Sequence, residues 1–300
     1  MELIRLLETI RSPYLDAVIG FITWLGEETL IMIVICAVYW CISKRAAYSI
    51  GIAFFFSGLT VQGMKICFRI ERPWIKDPTL TPVPSAIENA TGYSFPSGHT
   101  QSAASFFGSL GAMLKKKPIK ITCFAIIILV AFSRLYLGVH TLIDVVASIL
   151  ISLLLVLLTA RFFSNNTSNK KRDLILALIM VGYTIAVIVI ALLLYSSGKI
   201  EQGYVSDCMK AAGAGVGFAI GMFVERVYID FSTQAKSVLM QAVKLLLGLA
   251  GILVIKEGLK LIIGTSLIAD TIRYFLMPIW LAIGYPLIIK RYLALVPCNT

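Results

Sequence analysis

Residues 133–160 read SRLYLGVHTLIDVVASILISLLLVLLTA, a charged segment that leads into a long apolar run. The run Val139–Ala160 is long enough to cross the hydrocarbon core of a bilayer, which is roughly 30 Å thick. Near its start, His140 and Asp144 are four residues apart, so on a helix they share one face and the carboxylate can orient the imidazole ring. Arg134 lies just upstream. The stretch predicts a membrane-spanning helix with ionisable side chains at one end.

The whole chain is far more apolar than a soluble protein. Of its 300 residues, 58% are hydrophobic and only 14% are charged, and the mean hydropathy is +0.88. In a soluble domain the charged fraction is usually about a quarter. We therefore expect an integral, multi-pass membrane protein with an all-α fold, namely a polytopic transmembrane helical bundle. The same composition excludes a soluble enzyme.

The net charge of +11 would fit a nucleic-acid-binding protein if the basic residues were gathered on one surface. Instead, they recur in alternate connections between apolar runs. These groups are Lys44 and Arg45, Lys115–Lys117 with Lys120, Arg161 with Lys170–Arg172, Arg226 with Lys236, and Lys290 with Arg291. Such alternation is typical of cytoplasmic loops in membrane proteins. We therefore expect membrane lipids and no nucleic acid as partners.

Nine apolar runs are predicted to span the membrane, with the N-terminus outside and the C-terminus inside. The runs are Leu15–Ile42, Ala46–Ile66, Pro96–Leu114, Ile119–Leu137, Val139–Ala160, Asp173–Tyr195, Ala211–Val227, Val238–Val254 and Tyr274–Ile289. No internal repeat relates them. This order places the charged segments of the first half at the same, outer end of their helices.

The N-terminal segment Met1–Arg11 alternates apolar and charged residues in an amphipathic pattern. Residues 1–14 are predicted to form a helix that lies at the membrane interface, and a short packing helix is an equal alternative. No cleaved signal peptide is expected, because the segment lacks the required charged, apolar and small-residue regions. The first spanning helix would then direct insertion.

The first predicted span is interrupted by Gly26, Glu27 and Glu28. Acidic side chains at that depth are costly unless they face the bundle interior or the headgroups. These acids are expected near the outer end, or as the cap of a broken helix. A role beside the cationic groups is the alternative.

Two further segments contain residues that could take part in catalysis. Lys65 and Arg72-Pro73 follow the second predicted span, and His99, one of only two histidines in the chain, lies in Phe95-Pro96-Ser97-Gly98-His99 at the start of the third. The connection Trp74–Ser94 between them is rich in Pro, Thr and Ser, so it is predicted to fold over the outer face as a lid or rim.

These segments resemble the three signature motifs of the type 2 phosphatidic acid phosphatase (PAP2) superfamily. The matching positions are Lys65, Arg72 and Pro73, then Pro96, Ser97, Gly98 and His99, then Ser133, Arg134, His140 and Asp144. The spacing also matches, with six residues between Lys65 and Arg72 and five between Arg134 and His140. The resemblance covers Leu15–Ala160. It implies a PAP2-like catalytic core over residues 15–162, followed by extra C-terminal transmembrane helices of unknown role over residues 173–300.

The same residue types account for the transfer of a phosphate group. The cations Lys65, Arg72 and Arg134 are expected to bind the phosphate oxygens. The Ser97 hydroxyl and the Gly98 backbone N–H, at a helix N-terminus, would assist them.

The two histidines are predicted to divide the covalent and the proton-transfer chemistry. His140 would attack phosphorus and form a phosphohistidine, while Asp144 would fix its tautomer. His99 would protonate the leaving oxygen and then activate the hydrolytic water. The motifs lack the carboxylate cluster that would bind magnesium, so no metal ion and no other cofactor is expected.

The predicted function is hydrolysis of a lipid phosphate. Phosphatidate, phosphatidylglycerophosphate, undecaprenyl pyrophosphate and sphingoid phosphates all fit, since each keeps its tail in lipid while its phosphate reaches the cations. A bacterial cell membrane is favoured, with the active site on its extracytoplasmic face.

Two alternatives stay open. One is a transporter or scramblase with a phosphatase-like binding site. It is suggested by charged residues in the C-terminal region, at Lys244, Lys256, Glu257 and Lys260. A phosphotransferase would use the same site residues and differ only in the acceptor.

Overall fold

The computed structural model describes residues 1–88, 90–114, 116–163 and 169–293. Lys115 of the predicted basic turn and the last seven residues, 294–300, lie outside this range. The α-helices are α1 Glu2–Thr9, α2 Pro13–Trp24, α3 Glu28–Ala37, α4 Lys44–Phe68, α5 Pro73–Lys76, α6 Pro84–Ile87, α7 Gly98–Met113, α8 Lys117–Tyr136, α9 Leu142–Phe162, α10 Lys170–Ser196, α11 Gln202–Val224, α12 Val238–Leu253, α13 Leu259–Ile263, α14 Leu267–Ile279 and α15 Tyr285–Ile288. Short π-helical segments are Val38–Ile42, Glu225–Ile229, Val254–Gly258, Trp280–Gly284 and Ile289–Leu293. Because no strand occurs among the described residues, the all-α prediction is confirmed.

The protein is a multi-pass membrane protein. Among the described residues, seven helical segments are long and apolar enough to cross a membrane: Lys44–Lys76, Lys117–Tyr136, Leu142–Phe162, Lys170–Ser196, Gln202–Ile229, Val238–Ile263 and Leu267–Tyr292. The number rises to eight if Pro13–Trp24 and Glu28–Ile42, which meet at 41°, form one bent span.

The predicted count of nine spans is wrong by at least one within the described residues. The third predicted span, Pro96–Leu114, forms only the 16-residue helix α7. Many buried residues of α7 are small or polar, and they face protein on several sides of the helix. The apolar run therefore reflects close packing inside the protein.

The described chain separates into two compact units. The first comprises Met1–Met32 and Phe56–Phe162, and the second comprises Ile33–Phe55 and Phe163–Thr300. The divisions fall inside α3 and α4, so both of these helices contribute to both units. All the motif residues belong to the first unit.

Helix α7 is the centre of the first unit, where it packs against α8 and α9. Its buried polar side chains bond to neighbouring helices. Ser105 Oγ lies 2.6 Å from Ser57 Oγ, and Gln101 Nε2 donates to the same Ser57 oxygen at 2.8 Å. Ser152 Oγ donates to the Gln101 carbonyl at 3.4 Å. Interhelical hydrogen bonds of this kind stabilise membrane helices by about 0.6 kcal/mol each, and they hold α7 in register.

Helix α1 is attached to the connection that follows α5. Arg5 forms an ion pair with Asp77 at 2.6 Å, and Glu8 accepts a hydrogen bond from the Thr81 backbone N–H at 3.1 Å. On the other side of α1, Ile4 and Leu7 are buried in the first unit. The segment is thus a helix that packs onto the protein, and its position at the membrane interface stays a prediction.

The second unit contains buried ion pairs. Glu225 is fully buried and lies 3.0 Å from Lys44 Nζ. Asp173, also fully buried, pairs with Arg226 Nε at 2.9 Å. Each buried carboxylate has a cationic partner, as the cost of burying a charge requires.

Helices α11 and α14 approach each other closely in the second unit. A Cβ atom on Gly213 would lie only 2.5 Å from the Thr271 carbonyl oxygen. Small residues at such an interface let two helix backbones come together in a membrane. A larger side chain at Gly213 would separate the pair.

Candidate active site

Each motif residue lies at an end of a helix or immediately beside one. Lys65 lies in the last turn of α4, Arg72 immediately before α5, Ser97, Gly98 and His99 at the start of α7, Arg134 in the last turn of α8, His140 in the connection to α9, and Asp144 in the first turn of α9. Most of these side chains are buried, including all three cations. Contacts join the three motifs: Arg72 lies against His140, and the Ser97 N–H donates to the Asp144 carbonyl at 3.3 Å.

The contacts of His140 determine which ring nitrogen carries its proton. Arg72 Nη1 lies 2.9 Å from His140 Nε2. A guanidinium only donates hydrogen bonds, so Nε2 must be the acceptor and the proton of the neutral ring is on Nδ1. Nδ1 faces Asp144, with 3.5 Å between Nδ1 and Oδ2. His140 is thereby held as a neutral imidazole with its lone pair on Nε2, the form required of a nucleophile.

Asp144 is itself held in place by two donors. Its Oδ2 accepts a hydrogen bond from Ser94 Oγ at 2.6 Å and another from the Thr141 backbone N–H at 2.7 Å. His140 Nδ1 makes no hydrogen bond to any residue that the structure describes. The 3.5 Å separation leaves room for a shorter contact when the ring gains positive charge.

Arg72 links the polar connection to the segment that carries His140. Its Nη2 donates to the Thr91 carbonyl at 2.6 Å and its Nε to the Gly92 carbonyl at 3.0 Å. Nη1 donates to the Val139 carbonyl at 3.0 Å. Arg72 therefore organises the backbone around the site, in addition to its predicted role as a phosphate ligand.

The start of α7 offers backbone donors for an anion. Ser97 is the N-cap, and its Oγ accepts from Thr100 Oγ1 at 3.0 Å. No atom lies within 4 Å of the position that a Cβ on Gly98 would take, so the backbone at Gly98 borders open space. Unpaired N–H groups and the helix dipole make such a terminus favourable for phosphate.

The segment from Thr23, at the end of α2, to Glu27, just before α3, reaches both Arg134 and His99. Arg134 Nη1 donates to Thr23 Oγ1 at 2.8 Å, while its buried Nε has no partner in the described part of the chain. Glu27 Oε2 lies 3.2 Å from His99 Nε2. Burial first, and then the positive charges of Arg134 and Lys65, lower the pKa of His99 to about 4, while Glu27 acts in the opposite direction. The structure thus brings together charged residues of all three motifs.

Sequence reasoning missed Ser94 and Thr23. Ser94 is one hydroxyl residue in a connection that contains several, and Thr23 is a single polar residue in an apolar run. Neither position carries a local signal, because their partners are distant in sequence. The alternative that placed Glu27 beside the cationic groups agrees with its contact with His99.

The connection that carries His140 lies between the spanning helices α8 and α9. Burial lowers the pKa of His140 well below the ordinary value of 6.5, and the positive charge of Arg72 acts in the same direction. A lowered pKa favours the neutral ring, so the nucleophilic form predominates throughout the neutral pH range.

We expect the His140 ring to remain neutral when the pH falls to 6.5, its ordinary pKa. The chain has only two histidines, so nitrogen NMR of detergent-solubilised protein labelled at imidazole should resolve both rings, and the variant His99→Asn assigns them. The expected spectrum is that of the Nδ1–H tautomer, unchanged between about pH 8 and pH 6.5. A protonation midpoint for His140 at or above 6.5 would contradict this assignment.

Comparisons with known proteins cover most of the chain. A family model described as the PAP2 superfamily matches residues 46–168, and one described as the PAP2 superfamily phosphatase, transmembrane extension, matches residues 209–294. Phosphatidylglycerophosphatase B of Bacillus subtilis (strain 168) is 28% identical over 164 residues, which are 49% of this chain and 74% of that protein. The crystal structure of a transmembrane PAP2-type phosphatidylglycerolphosphate phosphatase from Bacillus subtilis aligns with a TM-score of 0.46 and 28% identity, over 54% of this chain and 82% of that one.

Proposed function

Since this chain belongs to the PAP2 superfamily, whose members include membrane lipid phosphatases, we propose that it hydrolyses a lipid phosphate through a phosphohistidine on His140, without a metal ion. One observation carries the proposal. His140 lies between Arg72 and Asp144, and its unprotonated Nε2 faces the guanidinium. A lone pair beside a cation is positioned to meet the phosphorus of a bound phosphate.

In the first step, the phosphate group replaces His140 Nε2 as the acceptor for Arg72. Phosphate oxygens are charged and are therefore stronger acceptors than a neutral imidazole. The freed lone pair attacks phosphorus in line with the ester oxygen, and a P–N bond forms as the P–O bond breaks. His99 donates its proton to the departing oxygen, and Asp144 stabilises the positive charge on His140.

In the second step, His99 takes a proton from water. The resulting hydroxide attacks phosphorus and the P–N bond breaks, which releases inorganic phosphate and restores neutral His140. Lys65, Arg72 and Arg134 offset the charge on the phosphate oxygens in both steps. The N-terminus of α7, at Gly98, adds backbone N–H donors.

The substrate is proposed to be a lipid phosphate monoester or pyrophosphate. Phosphatidylglycerophosphate is the first candidate, because a relative with 28% identity is named phosphatidylglycerophosphatase B. Phosphatidate, undecaprenyl pyrophosphate and sphingoid phosphates carry the same two parts, a terminal phosphate and a hydrocarbon tail.

Phosphate release by the detergent-purified protein tests the proposal. The panel comprises the four lipid phosphates and glucose 6-phosphate, with EDTA present throughout. We expect release from at least one lipid, at the same rate with and without EDTA. If well-folded protein releases no phosphate from any of them, or if EDTA abolishes release, the metal-independent hydrolase is the wrong function.

The contacts of the C-terminal charges weigh against a transporter. Lys244 is buried, but its Nζ donates to the Thr233 carbonyl at 2.7 Å, a local structural contact. Lys256 and Glu257 are exposed and lie near each other, at 3.8 Å. A phosphotransferase would have the same site, and alcohol acceptors added to the phosphate-release assay would reveal it as a new phosphate ester.

We propose that the active site opens on the extracytoplasmic face of a bacterial membrane. The site lies at one end of α4, α8 and α9, and the basic residues Lys44, Lys120 and Arg161 lie toward the opposite ends, where cytoplasmic loops are rich in Lys and Arg. Cys67 is exposed at the end of α4, two residues after Lys65, and reports on that side. A membrane-impermeant maleimide should label it in intact cells, and the variant Cys67→Ser should lose that labelling. Labelling that appears only after the cells are permeabilised would place the site on the cytoplasmic face.

A further inference from the structure

The last turn of α2 and the turn that follows it contact two motif residues, although they lie before the part of the chain that the PAP2 superfamily model matches. Thr23 Oγ1 accepts a hydrogen bond from Arg134 at 2.8 Å. Four residues later, Glu27 Oε2 lies 3.2 Å from His99 Nε2. One short segment therefore reaches the predicted phosphate ligand and the predicted general acid.

The backbone of this turn is packed directly against His99. A Cβ atom on Gly26 would lie 2.7 Å from the His99 carbonyl oxygen, so only glycine allows this approach. The turn is closed by hydrogen bonds from the Gly26 N–H to the Thr23 carbonyl, at 3.0 Å, and from the Glu27 N–H to the Trp24 carbonyl, at 2.9 Å. The close approach and the closed turn fix the point from which the Glu27 side chain extends to His99.

The contact between Glu27 and His99 matters because of the other charges around the ring. Burial, and after it the positive charges of Arg134 and Lys65, oppose the imidazolium that a general acid requires. Glu27 supplies the compensating negative charge. Its side chain is 39% exposed, so the pairing with His99 is not needed to relieve a buried carboxylate.

We propose that Glu27 is a positioning residue for proton transfer by His99. Its carboxylate accepts a hydrogen bond from Nε2–H throughout the reaction, so Nδ1 is the nitrogen that gives a proton to the leaving oxygen and later takes one from water. Glu27 stabilises the imidazolium at His99 as Asp144 stabilises the cation at His140. This inference rests on the proposed phosphatase function.

The test compares two substrates that have the same alkyl tail and differ in the leaving group. One is an alkyl phosphate, whose alkoxide leaves only if it is protonated. The other is a 4-alkyl-2-nitrophenyl phosphate, whose phenolate leaves without a proton. The parameter measured is kcat/KM, which covers the steps up to transfer of the phosphoryl group to His140 and excludes the later hydrolysis common to both substrates.

For Glu27→Gln, kcat/KM for the alkyl phosphate should fall about 100-fold, within the range that general acid catalysis supplies. For the nitrophenyl phosphate it should fall by less than about threefold, because no proton is needed. Glu27→Asp, which keeps the charge, should recover part of the loss on the alkyl phosphate. Glu28→Gln removes the adjacent, exposed carboxylate and should leave both values unchanged.

Equal losses on the two substrates, or no loss on either, would overturn the role of Glu27. Size-exclusion chromatography of each variant establishes that it is folded. Wild-type protein and His140→Ala are assayed in parallel, since failure of the wild type to release phosphate from either compound would refute the phosphatase function itself. The two failures are thus distinguishable.

Discussion

Replacement of His140 by alanine should lower kcat/KM on the preferred lipid phosphate by at least about 10⁴-fold, as removal of a covalent nucleophile usually does. The imidazole provides the attacking atom of the first step, without which no phosphoenzyme forms, and alanine has none. Phosphate binding should persist, because Lys65, Arg72 and Arg134 are unchanged. The expected signature is therefore a loss of kcat with little change in affinity for inorganic phosphate.

Trapping of the phosphoenzyme makes this prediction specific. With a labelled nitrophenyl phosphate, His99→Asn should form the phosphohistidine and hydrolyse it slowly, so labelled protein accumulates. The double variant His99→Asn, His140→Ala should carry no label. Residual activity of His140→Ala above about 1% of wild type would contradict covalent catalysis at this residue, and acid-stable label would point to a different side chain.

Replacement of Arg72 by lysine has the second largest expected effect, a loss in kcat/KM of about 10²–10³-fold. Arg72 bonds to the carbonyls of Thr91, Gly92 and Val139, and to His140 Nε2. A lysine ammonium keeps the charge but is a compact group on a flexible stem, and it lacks the planar fork that reaches these acceptors. The change should therefore disorder the connection as well as weaken phosphate binding.

Kinetics and limited proteolysis measure the two consequences together. In Arg72→Lys, cleavage within residues 77–88 should become faster than in wild type, whereas Arg69→Lys, three residues earlier, should change neither rate. Faster cleavage with normal activity would show that Arg72 acts only on the backbone. A normal cleavage rate with normal activity would contradict both of its proposed roles.

The sequence predicts the charged part of the site because its signals are local. His140 and Asp144 are expected on one helix face from their spacing of four; the helix begins only at Leu142, but the short spacing still brings the two side chains to 3.5 Å. Ser97 precedes a helix as an N-cap residue does. The bounds of the predicted spans also placed Gly98 and the cations at helix ends.

Other features depend on partners that are distant along the chain. Ser94 bonds to Asp144 across 50 residues, and Thr23 bonds to Arg134 across 111 residues, distances at which no spacing rule applies. The count of spans failed for a related reason. An apolar run indicates burial, but whether lipid or protein covers the helix depends on packing, and α7 is covered by protein on several sides.

The two kinds of contact that hold α1 differ in what weakens them. The ion pair between Arg5 and Asp77 is exposed, and such pairs contribute at most about 1 kcal/mol and are screened by salt. Ile4 and Leu7 are buried against the first unit, where salt has little effect but surfactant competes for the same surface. During purification, the choice of detergent will therefore govern the attachment of α1 more than ionic strength, and so the order of the connection that α1 holds.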